Sequence, residues 1–297
     1  MIYTLLLPGL IWYMIFAYMP MGGLSLAFKE FKANLGILGS PWVGLSTFKS
    51  VFSDIFFWRS IARTLTINLG RMCLEFPAPI ILALAINEFR SQRYKRVLQT
   101  IFTFPHFFSW VIVAGILTNT LSSRGIINQL FIAAKLEPIN FLGNPPIFIP
   151  MLYITAIWKG AGYGCIIYMA SISGIDQEMY EAADLDGAGR FQKLLYITLP
   201  SIMNTIIVMF ILTAGNLMSS GFDQIFNLNN AAVKTVSETL DIYIYRITFQ
   251  SAADFSFSTA VSLFRSLVNM ALLLGADRIF RILGGGGLIG RREAPVT

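Results

Sequence analysis

The sequence predicts an all-α integral membrane protein with six transmembrane helices. Three observations lead there. Charged residues make up 13% of the 297 residues, where a soluble domain carries about a quarter. Hydrophobic residues make up 55% and the mean hydropathy is +0.65. Finally, the apolar residues are gathered into runs of the length a bilayer needs, roughly 20 residues of helix for a core about 30 Å thick.

Taken in chain order, the first run, 2–28, contains no Asp, Glu, Lys or Arg. Met1 leads straight into it, without the basic n-region and cleavage site of a signal peptide. The second, 61–86, carries Arg63, Arg71 and Glu75. The third, 97–123, is again free of charge, and His106 follows Pro105 near its start, as in a kink with a packed histidine. The fourth, 147–175, carries Lys159; the fifth, 201–222, carries no charge; the sixth, 259–283, carries Arg265, Asp277 and Arg278. We read 1–297 as a single transmembrane domain, with neither a second soluble domain nor an internal repeat.

The connecting segments give the orientation. Basic residues are about twice as dense on the side holding both termini, 87–96 and 176–200 as on the other, led by the cluster Arg90, Arg93, Lys95 and Arg96. That side is expected to be cytoplasmic, since Lys and Arg concentrate in cytoplasmic loops. A pI near 9.4 and net charge of +6 follow from this bias and do not require nucleic acid. On the outer side, Leu45 to Trp58 places Leu45, Phe48, Val51, Phe52, Ile55 and Phe56 at helical spacing, as a helix on the membrane surface or capping the bundle.

Enzyme chemistry has little to build on. His106 is the only histidine, and Cys73 and Cys165 sit singly in apolar runs, so no metal cluster or catalytic triad is assigned. The glycine run 284–287, followed by Gly290, Arg291 and Arg292, lacks the Lys and hydroxyl of a phosphate-binding loop. It reads as a helix end passing into a tail.

The segment 176–200 is more than a connector. Asp176 is a suitable N-cap, and Glu178 and Glu181 lie in the following turns, where carboxylates favour the helix dipole. Gly187 permits a sharp reversal through positive φ. A second short helix follows, with Phe191, Leu194 and Leu195 on one face, Arg190 and Lys193 flanking it, and Pro200 in the first turn of the next span. An apolar helix face between two spans suits docking into another protein's groove. Five acids (Asp176, Glu178, Glu181, Asp184, Asp186) make rest against an anionic leaflet unfavourable.

Glu181-Ala182-Ala183, three residues, Gly187, nine residues, Ile197, one residue, Leu199-Pro200 resembles the EAA motif of binding-protein-dependent ABC importer permeases at every fixed position. Leu6-Leu7-Pro8-Gly9-Leu10, Tyr18-Met19-Pro20-Met21, Ala27-Phe28-Lys29, Asn140-Phe141-Leu142-Gly143, Ile157-Trp158-Lys159, Gly174-Ile175-Asp176 and the stretch 255–261 resemble its carbohydrate branch. Within that branch the chain is similar to permeases for complex polysaccharides and uronate oligomers such as alginate.

The resemblance implies the type I permease fold, in a bacterial inner membrane with both termini cytoplasmic. It implies a second, non-identical permease subunit, two ATPase subunits and an extracytoplasmic solute-binding protein. ATP and Mg would be bound by the ATPases, with no cofactor in this chain. Gly187 to Tyr196 would be the element docked into an ATPase, with Phe191 as its anchor. The coupling set is Glu181, Ala182, Ala183, Gly187, Arg190, Phe191, Lys193, Leu194, Leu195 and Pro200.

Charged and polar groups inside spans are functional candidates because their burial in lipid is costly. Arg71 and Glu75, four apart, pair on one helix face either structurally or at a substrate site. Lys159, beside Trp158 and near Tyr163, suits a uronate carboxylate held among aromatic rings, or an ion pair with another span or subunit. Arg265, four residues before Asn269, has the same two readings, and Asn216 reads as a substrate contact or as a helix–helix hydrogen bond. The competing classes are a gradient-driven secondary transporter and a membrane enzyme. The motif spacing favours an ATP-driven importer.

Overall fold

Prolines, glycines and capping side chains set where the helices begin, bend and stop. The computed structural model describes residues 2–219, 221–250 and 253–282. Among these the chain is helical, with no strand and one isolated antiparallel bridge between Lys29 and Trp42. The expected end of the last span at Leu283, and the glycine run 284–287 with Gly290, Arg291 and Arg292, lie outside the described residues.

Among the described residues four stretches have the length and apolarity to cross a bilayer: Leu5–Phe28, Ile55–Asn87, Trp110–Ala133 and Phe255–Ile282. The pair Arg190–Ser201 and Met203–Ala214, bent by 58°, makes a fifth. Among the described residues Pro145–Ser173 is the longest single helix at 29 residues, about 43 Å at 1.5 Å per residue. It has the length to span, while Lys159, Gly160, Gly162 and Gly164 dilute its apolarity.

Two expected spans differ in shape from a straight helix. The segment 97–123 is interrupted: Gln92–Thr103 gives way to a 3₁₀ turn, Phe104–Phe107, and a new helix, Trp110–Leu121, starts at the N-cap Ser109. Pro105 cannot donate to the helix ladder, so the break is local and covalent in origin. Ser109 Oγ then accepts the Ile112 N–H at 3.3 Å. The fifth span does not begin its straight run at Pro200. Leu194–Thr198 is a π-turn, Leu199–Ser201 one further turn, and the helix resumes only at Met203. The same offset recurs near the N-terminus, where the π-turn Met14–Tyr18 precedes Pro20 by two residues. A proline ring crowds the carbonyl four residues back, and a wider turn makes room for it.

The chain divides into two compact units, Met1–Arg63 with Glu238–Val268, and Thr64–Ser237 with Asn269–Thr297. In the first, the expected helix 45–58 is two helices. Ser46–Ser53 stops at Asp54, whose carboxylate accepts the Phe56 N–H at 2.8 Å and so starts Ile55–Leu74. The corner is filled by rings: Phe52 packs on Phe57, Trp58 and Phe264 at 5.6–6.3 Å between centroids, and Val51 and Phe57 are fully buried. In the second unit, Ala83, Ile86, Cys165, Tyr168, Ile172, Ile175 and Ile202 form a buried cluster. Helix Pro145–Ser173 packs closely there because Gly162 has no side chain; a Cβ would fall on the Phe102 carbonyl. Thr103 Oγ1 donates to the Gly162 carbonyl at 3.1 Å across the same contact.

Candidate functional site

The 176–200 segment folds as helix, left-handed glycine, helix. Asp176 caps Gln177–Leu185, its carboxylate accepting the Glu178 N–H at 3.0 Å. The helix ends in a Schellman arrangement: the Ala188 N–H donates to the Ala183 carbonyl at 2.9 Å and the Gly187 N–H to the Asp184 carbonyl at 3.1 Å. Gly187 has φ +76°. A Cβ there would meet nothing within 4 Å, so conformation rather than space demands the glycine. Gly189 then caps Arg190–Lys193, its N–H donating to Gln192 Oε1 at 2.7 Å.

Two ties hold the reversal together. Lys193 Nζ lies 2.7 Å from Asp184 Oδ1, bridging the helices. Tyr180 and Ile197 pack on the buried cluster of the second unit, and the Tyr180 hydroxyl hydrogen-bonds Thr198 Oγ1 at 2.9 Å. The fixed Ile197 of the motif therefore anchors the loop to that buried cluster. Among the exposed charged and polar residues of this segment stand large apolar ones: Leu185, Phe191 and Tyr196 are 91%, 71% and 77% exposed, and Leu195 is partly exposed. Leu194 instead turns to a cleft of about 620 Å³ shared with Arg90, Lys95 and Arg190. Glu181 and Ala182 are exposed and Ala183 is half-buried. Leu185 and Tyr196 were missed by the helical-face reading. For Leu185 the signal available was position, a large apolar residue between Asp184 and Asp186 just before the Gly187 turn; Tyr196, between Leu195 and Ile197, carried no such signal.

The intramembrane candidates separate by how their polar atoms are used. Lys159 Nζ donates to the His106 carbonyl at 2.9 Å and lies 5.5 Å from the centre of the Trp110 ring. Among the described residues no carboxylate lies within ion-pair distance of it. Tyr163, one turn further along, stacks on the His106 ring at 4.0 Å and 4°. The break in the third span thus presents His106 to both. Trp158 is half exposed on the same helix. Asn216 donates to the Leu212 carbonyl at 3.0 Å and lines a cavity of about 420 Å³ with Arg71 and Glu75.

Arg265 and Asn269 turn inward. Arg265 ion-pairs with Asp241, whose carboxyl burial pushes upward in pKa against the opposing pull of that arginine. Asn269 accepts the Met218 N–H at 3.0 Å and donates to Ser219 Oγ at 2.7 Å. Nearby in sequence, Glu238 takes Arg246 at 2.7 Å and Arg63 at 3.5 Å. The Tyr243 hydroxyl donates to Asp54; burial and that bond hold its pKa far above the usual phenol range.

Comparison with known proteins agrees with this architecture. The family described as binding-protein-dependent transport system inner membrane component matches residues 75–284. Protein LplB of Bacillus subtilis is 41% identical over 288 residues, covering 97% of this chain and 90% of that protein. The polygalacturonan/rhamnogalacturonan transport system permease protein YteP, also of Bacillus subtilis, is 39% identical over 288 residues, covering 97% and 89%. Among solved structures, a chain of a bacterial alginate ABC transporter in complex with an alginate pentasaccharide-bound periplasmic protein superposes with a TM-score of 0.87. It shares 36% identity and covers 97% of this chain and 96% of that one.

Proposed function

Since the chain belongs to the family of inner membrane components of binding-protein-dependent transport systems, we propose that it is the permease subunit of an ATP-driven importer of an acidic oligo- or polysaccharide. The observation that carries the ATP-driven part is the 176–200 fold. A Schellman-capped reversal anchored to the buried helix cluster presents Leu185, Phe191 and Tyr196 to an external groove. An ATPase subunit that takes this face draws the anchored loop with it, and the pull passes through Tyr180 and Ile197 into the membrane helices. In this reading ATP and Mg belong to two ATPase subunits, a second, non-identical permease completes the pathway, and a solute-binding protein delivers the sugar outside. Both termini face the cytoplasm. The chain itself contributes conformational change rather than catalysis.

The substrate class rests on two supports. YteP is named for polygalacturonan and rhamnogalacturonan, and the structural neighbours import alginate, an acidic polysaccharide. Lys159 is a membrane cation held by a carbonyl and a ring rather than by a carboxylate, so its charge is available to a uronate, with Trp158 and Tyr163 as ring surfaces beside it. The test is uptake by the assembled transporter in liposomes, using galacturonate and alginate trisaccharides and their carboxyl-reduced counterparts. ATP-dependent uptake of the acidic sugars is expected, and Lys159→Gln should depress it without affecting any neutral uptake. Uptake that follows an ion gradient and ignores ATP would overturn the reading.

A further inference from the structure

The cleft of about 620 Å³ that Leu194 enters falls in the roughly 300–1,000 Å³ range of small-molecule sites. Its charged lining is Arg90, Lys95, Arg190 and Lys193 against a single carboxylate, Glu88. Lys193 is answered by Asp184. Lys95 has three N–H donors and gives one to Asn87 Oδ1 at 3.1 Å. Among the described residues Arg90, Lys95 and Arg190 have no carboxylate within ion-pair distance. A second cleft, of about 350 Å³, adjoins the first, and Lys95 and Ser173 line both. It follows helices Gln92–Thr103 and Pro145–Ser173, which add Arg96 on one wall and Ile166, Met169 and Ala170 on the other. Ile166 and Ser173 are about 10 Å apart along their helix at 1.5 Å per residue. The joined clefts therefore change from cationic to largely apolar along their length. Val97, Ile101 and Phe102 are exposed, and Lys95 and Arg96 stand just before this apolar stretch, where headgroups border hydrocarbon.

We infer that the joined clefts bind an anionic phospholipid, with its phosphate on Arg90 and Lys95 and its acyl chains along Ile166 and Met169. Basic clefts between membrane helices attract anionic headgroups, and the guanidinium fork matches phosphate oxygens. A free phosphate would gain nothing from the apolar end. A zwitterionic lipid would bring its own cation against cations that already lack partners. The seated headgroup lies between the helix that carries Lys95 and the loop that carries Arg190, and so joins the 176–200 loop to the membrane helices by a contact separate from the exposed Leu185, Phe191 and Tyr196, none of which lines the cleft.

The test titrates the full chain, in the assembled detergent-purified transporter, with dihexanoyl phosphatidylglycerol and counts bound lipid by native mass spectrometry. Dihexanoyl phosphatidylcholine and glycerol phosphate are the comparison probes. Saturable binding of phosphatidylglycerol is expected, at least about tenfold tighter than either comparison. Lys95→Gln should weaken it about tenfold or more, as loss of a charged hydrogen bond implies, and Lys95→Arg should keep it. Arg93→Gln, on the same helix but lining neither cleft, should leave it unchanged. Equal weakening by Lys95→Gln and Arg93→Gln would show diffuse attraction to a basic surface and overturn the inference. Binding untouched by Lys95→Gln would overturn it by placing the lipid elsewhere. Glycerol phosphate bound as tightly as phosphatidylglycerol would make the cleft a free-phosphate site, and phosphatidylcholine bound as tightly would make it an apolar one; each overturns the inference, as does an absence of saturable binding. No probe depends on transport, so ATP-driven sugar uptake by the same preparation decides the importer reading separately.

Discussion

Replacing Gly187 isolates one physical quantity. The residue sits at φ +76° with open space around the missing Cβ, so Gly187→Ala introduces no clash with neighbours and its cost is the left-handed backbone alone. That cost is about 1–2 kcal/mol for an L-residue, or a factor of roughly 5–30 in the population of the reversed loop. Asn tolerates the left-handed region better and should cost less. Pro is locked near φ −65° and has no N–H, so it both excludes the conformation and deletes the bond to the Asp184 carbonyl. The order of activity should be Gly, Asn, Ala, Pro. The assay is ATP hydrolysis by the reconstituted transporter, stimulated by loaded binding protein, with membrane insertion followed in parallel. Wild-type stimulation in the Ala variant, or an Asn variant worse than Ala, would refute the reasoning.

Other substitutions test neighbouring parts of the argument. Glu181→Lys, on the exposed side of the first loop helix, should uncouple hydrolysis from uptake while leaving insertion intact, seen as a raised ratio of ATP consumed to sugar imported. Lys193→Ala removes a bridge to the largely exposed Asp184; pairs of that kind are worth about 0–1 kcal/mol, so the thermal midpoint should hardly move. Gly162→Ala places a methyl on the Phe102 carbonyl and should cost about 1–3 kcal/mol, read as a lower thermal midpoint. Asp241 has a raised pKa in the fold, so between the ordinary and raised values the folded state holds more protons. Its contribution to stability therefore falls as pH rises through that window, and Asp241→Asn should flatten the slope of thermal midpoint against pH.

Local chemistry made much of the chain readable in advance. Apolar runs announce spans because lipid leaves a backbone few alternatives to helix. The caps and reversals of the 176–200 loop follow from Asp176, Gly187 and Gly189, whose effects reach only a few residues. Even the break at Pro105 and the wide turns before Pro20 and Pro200 have their cause within one turn of the chain.

Partnership was different. Arg265 and Lys159 look alike as single cations in apolar runs, yet one ends against Asp241 and the other on a carbonyl and an indole ring. Asn216 and Asn269 are likewise equivalent on paper, while Asn269 spends its amide on Met218 and Ser219. Arg71, 3.6 Å from Glu75, also donates to Gln224, more than 150 residues away, and Gly221, the left-handed cap of the next helix, leaves the guanidinium its room. Long-range contacts of this sort are set by how helices pack. No spacing rule within one helix carries that information, and so the helices and the 176–200 loop were fixed locally while the polar sites were decided in three dimensions.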